Sequence, residues 1–233
     1  MRKADWSTDD GSVALYLGDA RQILPHLEKV DTILTAPVWP NFHPDLEGSG
    51  DPYGLWRDTV AVLPETSRLC VWLGCQSDPR FLLSVPEGLP FLRMCYMSRA
   101  VPSYNGRCLV TGDVLYCFGE WPAARKGRSV LPGECRVTSK PQLRQDHPCA
   151  RNLEHAAWAV KWWTDPGETV LDCFMGTATI GIPCVRTERR YIGVESDPKH
   201  FASAVRRIEL EMARSPLFEK PPAVQRNLLE ESA

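Results

Sequence analysis

The 233-residue sequence is 43% hydrophobic and 24% charged, with both signs mixed; this supplies one buried core and excludes a mainly disordered, collagenous or coiled-coil chain. A formal net charge of −2 argues against a protein that coats nucleic acid indiscriminately. No apolar run approaches the ~18 residues of a membrane span and the first residues lack an apolar signal core, so a cytoplasmic protein without a membrane partner is expected. Nine cysteines, an odd number without a C-x-x-C pair, sit in apolar segments such as Leu69-Cys70-Val71 and read as buried free thiols. With no Cys/His cluster at ligand spacing, no metal is expected.

In chain order, Val13–Leu17 is an apolar run closed by Gly18, 23–27 carries apolar residues at helical spacing, and Val30–Thr35 is apolar and β-branched, which predicts strand, short helix, strand. Residues 53–63 read as a helix, 69–73 as a buried strand, 79–85 as a helix opened by Pro79 after Asp78, and 91–97 and 114–118 as strands. Residues 119–148 show no period, and about 119–146 is expected to leave the core. A helix over 152–163 presents Leu153, Ala156, Ala157, Val160 and Trp163 on one face and ends at the turn Asp165-Pro166-Gly167-Glu168. A strand at 169–171, a glycine turn at 174–177, a helix to about Thr187 and a strand at 191–194 form a βαβ unit. Asp197-Pro198 then opens a helix striped by Phe201, Val205, Ile208 and Met212. The alternation predicts an α/β protein with a mostly parallel, doubly wound sheet in one domain over 1–214, followed by a flexible tail, 215–233.

The segment Val170-Leu171-Asp172-Cys173-Phe174-Met175-Gly176-Thr177-Ala178-Thr179 delivers an acid from a buried strand into a tight turn before a helix. About twenty residues on, Glu195 ends the next strand, where a carboxylate can bond both ribose hydroxyls of an adenosine. A dinucleotide site would bring G-x-G-x-x-G amides against a pyrophosphate, but this turn holds one Gly, Ala178 stands where a second would, and Asp172 would repel the phosphates. The acid suits a cofactor with a cationic amino-acid end, S-adenosylmethionine, through its ammonium and sulfonium. An ordinary βα turn with a capping acid is the alternative.

Residues 172–179 resemble the D-P-F-x-G-S-G-T motif of the DNA amino-methyltransferases, which methylate adenine N6 or cytosine N4. His147-Pro148-Cys149-Ala150-Arg151-Asn152 is similar to the family's H-P-T-Q-K-P, and Tyr191-Ile192-Gly193-Val194-Glu195-Ser196-Asp197 to its I-G-I-E-x-D. Leu17-Gly18-Asp19, and then 30–39, resemble its G-D and V-D-x-I-x-T-D-P-P-Y segments. The catalytic half precedes the cofactor half, the order of the family's β class, and the resemblance spans about 13–211. It implies a Rossmann-like methyltransferase fold with a small target-recognition excursion. It also implies S-adenosylmethionine held by Asp19, His147, Asn152, Asp172, Phe174, Gly176, Thr177, Thr179, Glu195 and Asp197. Cys173 replaces the motif's Pro, Ala178 its second Gly, and 149–152 keep little of T-Q-K-P.

The resemblance makes Ala36, Pro37, Val38 and Trp39 the catalytic tetrad, written D/S/N-P-P-Y/W/F in the family. There a polar first residue and a backbone carbonyl accept the two N–H bonds of the amine, aiming its lone pair at the methyl donor, while the aromatic residue stacks on a flipped base. Pro37 and Trp39 suit those roles; a loop stop and a core aromatic are the alternative. Ala36 cannot accept a hydrogen bond, and losing one positioned polar group costs ~10²–10³ in rate by analogy. Three explanations stay open: Ala36 replaces an aspartate, the chain is an inactive relative that still binds cofactor or DNA, or another acceptor compensates. The first is preferred, and with it adenine N6 over cytosine N4, because an acid is commoner in the adenine enzymes. Cys149 and Cys184 follow prolines but lie in the wrong segments for a C5-cytosine nucleophile, and His43 and His147 receive no catalytic role.

Between Arg99 and Arg151 nine Lys/Arg stand against four acids. Arg125, Lys126, Arg128, Arg136, Lys140 and Arg144 lie where the family carries its target-recognition region and are expected to meet the phosphates of double-stranded DNA; a solvated loop face is the alternative. So short a region implies a short site, a homodimer sharing the reading, or a helping partner. Residues 42–54 read equally as a lid or an ordinary loop. The expected function is transfer of a methyl group from S-adenosylmethionine to an exocyclic amine in DNA. Its rivals are an inactive methyltransferase-fold regulator and an RNA or protein amine methyltransferase.

Overall fold

The computed structural model describes residues 2–41, 46, 48–137 and 151–214. Along the chain these form β1 (Trp6–Ser7), β2 (Val13–Leu17), α1 (Ala20–Ile23), β3 (Val30–Thr35), α2 (Pro52–Val60), β4 (Thr66–Gly74), β5 (Phe91–Asn105), β6 (Cys108–Gly119), β7 (Glu134–Arg136), α3 (Leu153–Trp163), β8 (Thr169–Asp172), α4 (Gly181–Arg186), β9 (Arg190–Glu195) and α5 (Pro198–Met212). The strands make one sheet in the order β1-β2-β9-β8-β3-β4-β6-β5-β7. From β2 across to β4 every neighbouring pair is parallel, whereas β6 runs antiparallel to both β4 and β5. This is the α/β, mostly parallel, doubly wound arrangement expected. The central strands carry continuous apolar runs, and Leu69 to Leu73 are wholly buried, as parallel strands covered on both faces must be.

Two halves of the chain wind outward from the seam between β8 and β3: β3 leads to β4 on one side, β8 to β9 on the other. At such a switch point the connections diverge and open a crevice beyond the strand ends. The helices start where their caps dictate. Asp19 caps α1, Asn152 caps α3, and Asp197 caps α5 ahead of Pro198, each side chain accepting a bond from an otherwise unpaired first-turn amide.

The structure differs from the sequence expectations at several points. The predicted helix over 23–27 is α1 running into a 3₁₀ turn, Leu24–His26, where Pro25 cannot continue an α-helix. The helix over 79–85 is a 3₁₀ segment, Pro79–Ser84, and the helix after the glycine turn is only the six residues of α4. Met212 is largely exposed rather than part of the buried stripe. Strands β5 and β6 run far past their predicted ends, continuing beyond the last β4 pair, Gly74 with Asp113, as a two-stranded ribbon. The stretch after Gly119 is not wholly an excursion: β7 pairs with β5, and Arg128, Cys135 and Val137 are buried. The remainder of the predicted excursion, 138–146, and the predicted tail, 215–233, lie outside the described residues, as does His43. Cys75 and Cys108 are exposed, correcting the expectation that the cysteines are all buried. No helix among the described residues is long and apolar enough to cross a membrane.

Candidate active site

Above the β8/β3 seam lies a cleft of about 270 Å³. Segments far apart in sequence line it: Gly18 and Asp19 after β2, Ala36 to Trp39 after β3, Asp172 to Thr177 at the end of β8, and Glu195 to Asp197 at the end of β9. Parallel strands finish on one edge of a sheet, so their end loops meet there whatever their separation along the chain.

Asp172 is 2% exposed. Its Oδ1 accepts bonds from Thr35 Oγ1 at 2.7 Å and from the Phe174 amide at 3.2 Å. Burial outweighs these bonds and pushes the carboxyl up to about 7. Among the described residues no Lys or Arg pairs with it. A cationic ligand group is what such a carboxyl lacks, which is the fit expected for the amino-acid end of S-adenosylmethionine.

Glu195 fastens the turn to the neighbouring strand. Its Oε2 accepts from the Gly176 amide at 2.8 Å and its Oε1 from the Asp197 amide at 2.9 Å, while burial raises its carboxyl above the usual range. Gly176 turns the chain at φ 53°, and Ala178 adopts a similar left-handed φ of 55°, at a cost of about 1 kcal/mol for a residue with a Cβ. A Cβ at Gly193 would come within 2.3 Å of Met175 Sδ, so glycine there is what lets the turn lie against β9.

Other predicted cofactor residues reach the cleft with side chains already committed. The Thr177 and Thr179 hydroxyls accept from Arg207 Nη1 at 2.7 and 3.2 Å. The Asp197 carboxylate caps α5. Asp19 pairs with Arg21 at 2.6 Å, and the bonds from Arg21 hold its carboxyl below the usual range. Asn152 caps α3 through Glu154 N at 2.8 Å and is not among the residues lining the cleft. His147 lies outside the described residues.

On the opposite wall, Ala36, Pro37 and Val38 line the cleft, but Trp39 is not an open platform. It is 6% exposed, donates from Nε1 to the Trp72 carbonyl at 2.8 Å, and packs so closely on Gly74 that a Cβ there would meet the ring at 2.9 Å. The Arg151 guanidinium lies over the ring, 4.2 Å from its centroid. Arg151 and His200, whose Nδ1 is 3.9 Å from Glu195, line the cleft without having been singled out. The signal for Arg151 was present, since it occupies the lysine position of the H-P-T-Q-K-P-like element.

The basic stretch divides. Arg128 is buried, donating to the Asp165 carboxylate at 2.6 and 2.8 Å and to the Thr164 carbonyl at 2.9 Å; it is a strut beneath the turn that enters β8, which corrects its assignment to DNA. Arg125 shares Asp165 at 3.1 Å. Lys126 and Arg136 are exposed, Arg136 pairing with Glu134 at 3.0 Å. Lys140 and Arg144 lie outside the described residues.

The family model described as DNA methylase, for N6 and N4 methyltransferases, matches residues 92–206. The Type II methyltransferase M.BglI of Bacillus subtilis is 38% identical over 71 residues, 30% of this chain and 20% of that protein. The Type II methyltransferase M.Cfr9I of Citrobacter freundii is 42% identical over 46 residues, 20% of this chain and 15% of that protein. The matches thus span a fifth or less of these relatives' length. Over nearly the whole chain the fold is that of solved methyltransferases. The PvuII DNA methyltransferase, titled cytosine-N4-specific, superposes with a TM-score of 0.69 at 16% identity, covering 88% of each chain. A crystal structure titled M1.HpyAVI–SAM complex gives 0.63 at 20% identity, covering 84% of this chain and 99% of that one. The chain is thus similar in sequence to the DNA amino-methyltransferases over residues 92–206 and shares the methyltransferase fold over most of its length.

Proposed function

We propose that this chain binds S-adenosylmethionine in the cleft and transfers its methyl group to an exocyclic amine of a base extruded from double-stranded DNA. The observation that carries this reading is the meeting of four separated strand-end segments around a buried acid, Asp172, that has no cationic partner among the described residues. The likeness to Type II methyltransferases and to a methyltransferase solved as a SAM complex supports it.

The cofactor supplies, when bound, an electrophilic methyl on a sulfonium. Asp172 meets its cationic end, and Glu195 offers a ribose diol the lone pairs that its two backbone amides leave unused. Pro37 stiffens the loop after β3, and Trp39 gives a stacking face to the base. Of the basic residues expected to meet phosphates, Lys126, Arg125 and Arg136 are the described ones left at the surface, and the short recognition region favours a short site, two copies sharing one, or a helping partner. Ala36 provides no side-chain acceptor, so the amine is less well oriented and transfer is slow; on the reading in which Ala36 replaces an aspartate, adenine N6 comes ahead of cytosine N4. A cofactor- or DNA-binding regulator is the second reading, favoured by the same alanine.

The test is transfer of tritiated methyl to mixed-sequence duplex DNA by the chain and by Ala36→Asp, with the product base identified by mass spectrometry. Product in the substituted form supports the enzyme. Intact folding and cofactor binding without transfer to duplex DNA, single-stranded DNA or RNA leaves the regulator. Saturable NAD binding in place of S-adenosylmethionine would remove both.

A further inference from the structure

The ring of Trp39 is covered by a flat group belonging to the protein itself. The Arg151 guanidinium sits 4.2 Å from the ring centroid, its side chain 16% exposed, and both residues line the cleft. Trp39 is held from the other directions, by its bond to the Trp72 carbonyl and by its contact with Gly74. Arg151 also pairs, at 3.6 Å, with Asp113, a buried carboxylate near the start of the sheet-paired part of β6. Asp113 is held more closely by Arg99 of β5, at 2.6 Å.

A guanidinium and a nucleobase are both planar, both carry N–H donors on their edges, and both stack on indole. We propose that Arg151 is the place-holder for the target base: it occupies the face of Trp39 in the DNA-free protein and yields it to the extruded base. This rests on the function proposed above. The Asp113 cluster makes the exchange feasible. Removing the sole partner of a buried carboxylate strands a charge, but Asp113 keeps Arg99 when Arg151 swings away, and its pull keeps Arg151 at the rim of the site. Until then the ring is shielded from water, and only the fraction of molecules with Arg151 displaced can accept a base. Apparent affinity for an unstacked base is lowered by that fraction.

The consequence runs against simple electrostatics. Deleting a cation from a DNA-binding protein ordinarily weakens binding, whereas deleting a place-holder strengthens it. The probe is a fluorescein-labelled, mixed-sequence single-stranded 12-mer, whose bases need no extrusion, measured by anisotropy at fixed salt with the full chain. Arg151→Ala and Arg151→Lys are each expected to tighten binding about fivefold, the lysine because it keeps the charge but cannot lie flat on the ring. In a Trp39→Ala background the same substitutions should produce no gain. Weaker or unchanged binding by both Arg151 variants overturns the proposal and makes Arg151 a phosphate contact or a structural cation. Thermal melts confirm folding, and the lysine variant carries the test if the alanine form does not fold. If the gain persists in the Trp39→Ala background, the ring is not where the base stacks and the proposal falls, whereas the functional reading stands or falls on methyl transfer by the Ala36→Asp form.

Discussion

On the Asp172 wall of the cleft, the turn is tied to its own surroundings: Thr35 and the Phe174 amide hold Asp172, Glu195 takes the amides of Gly176 and Asp197, and Arg207 takes Thr177 and Thr179. On the Trp39 wall, position 36 offers no side-chain acceptor and the aromatic face lies under Arg151. The first wall is organised by its own hydrogen bonds, and the second would have to rearrange if, as proposed, a base stacks on Trp39. Such a division suits a site in which one ligand is small and diffusing while the other must be drawn out of a polymer, because fixed geometry helps only where the ligand can reach it unaided.

The largest effect is expected at Arg128, the strut beneath the turn that enters β8, the strand ending in Asp172. Arg128→Ala should destabilise the fold by about 3 kcal/mol in urea melts, because it removes a buried partner from Asp165 and a bond from the Thr164 carbonyl. Lys126→Ala should leave stability unchanged and reduce the salt slope of DNA binding instead. A silent Arg128→Ala would mean that the turn into β8 needs no strut.

Ala36→Asp addresses the second wall. It should raise the rate of methyl transfer about 10²–10³-fold, the worth of one positioned polar group, with cofactor affinity little changed. If affinity moves and rate does not, the two walls are not separable in the way described.

Asp172→Asn should weaken binding of S-adenosylmethionine about 10–100-fold by calorimetry, the range for losing one charge-assisted contact. The pH dependence follows from a carboxyl raised by burial from 3.8 to about 7. In the cofactor-free fold its protonated form contributes stability that is complete below about pH 4 and lost as pH rises through about 7. A cation requires the ionised form, so cofactor affinity should increase between pH 5 and 8 while this contribution to stability declines. Asp172→Asn should flatten both trends, and affinity that is level with pH in the parent would show that no cation meets this group.

The smallest effect is expected at Ala178. Glycine would relieve about 1 kcal/mol of left-handed strain but lose a fully buried methyl worth about 0.8 kcal/mol, leaving stability within about 0.5 kcal/mol of the parent. Stabilisation well beyond that would reveal a strained rather than relaxed Asp172 wall.

The parts of this site legible in the sequence are those whose chemistry is local. The acid of Asp172, the glycine turn after it and Glu195 about twenty residues on belong to one βαβ unit, whose geometry is set by short-range pattern. The Asp197-Pro198 start of α5 is equally local, though the same locality misled: a carboxylate at a helix start has a cap to make, and Asp19, Asn152 and Asp197 all make one. The ribbon formed by β5 and β6 was missed because exposed strands without a buried face show no hydrophobic alternation. Arg128 and Lys126 look alike in a basic stretch, and only the position of Asp165 separates them.

The sequence by itself determined the alternation of strands and helices and the residue types at the ends of β3, β8 and β9, since periodicity, turn chemistry and motif spacing are properties of neighbouring residues. Tertiary structure alone decided which arginine is a strut and which lines the cleft, and that the ring of Trp39 lies under a guanidinium. Those outcomes depend on burial and on partners tens of residues away: Arg128 with Asp165, Arg151 with Trp39 and Asp113. A charge declares its role only when the opposite charge, or the ring beneath it, has been brought alongside.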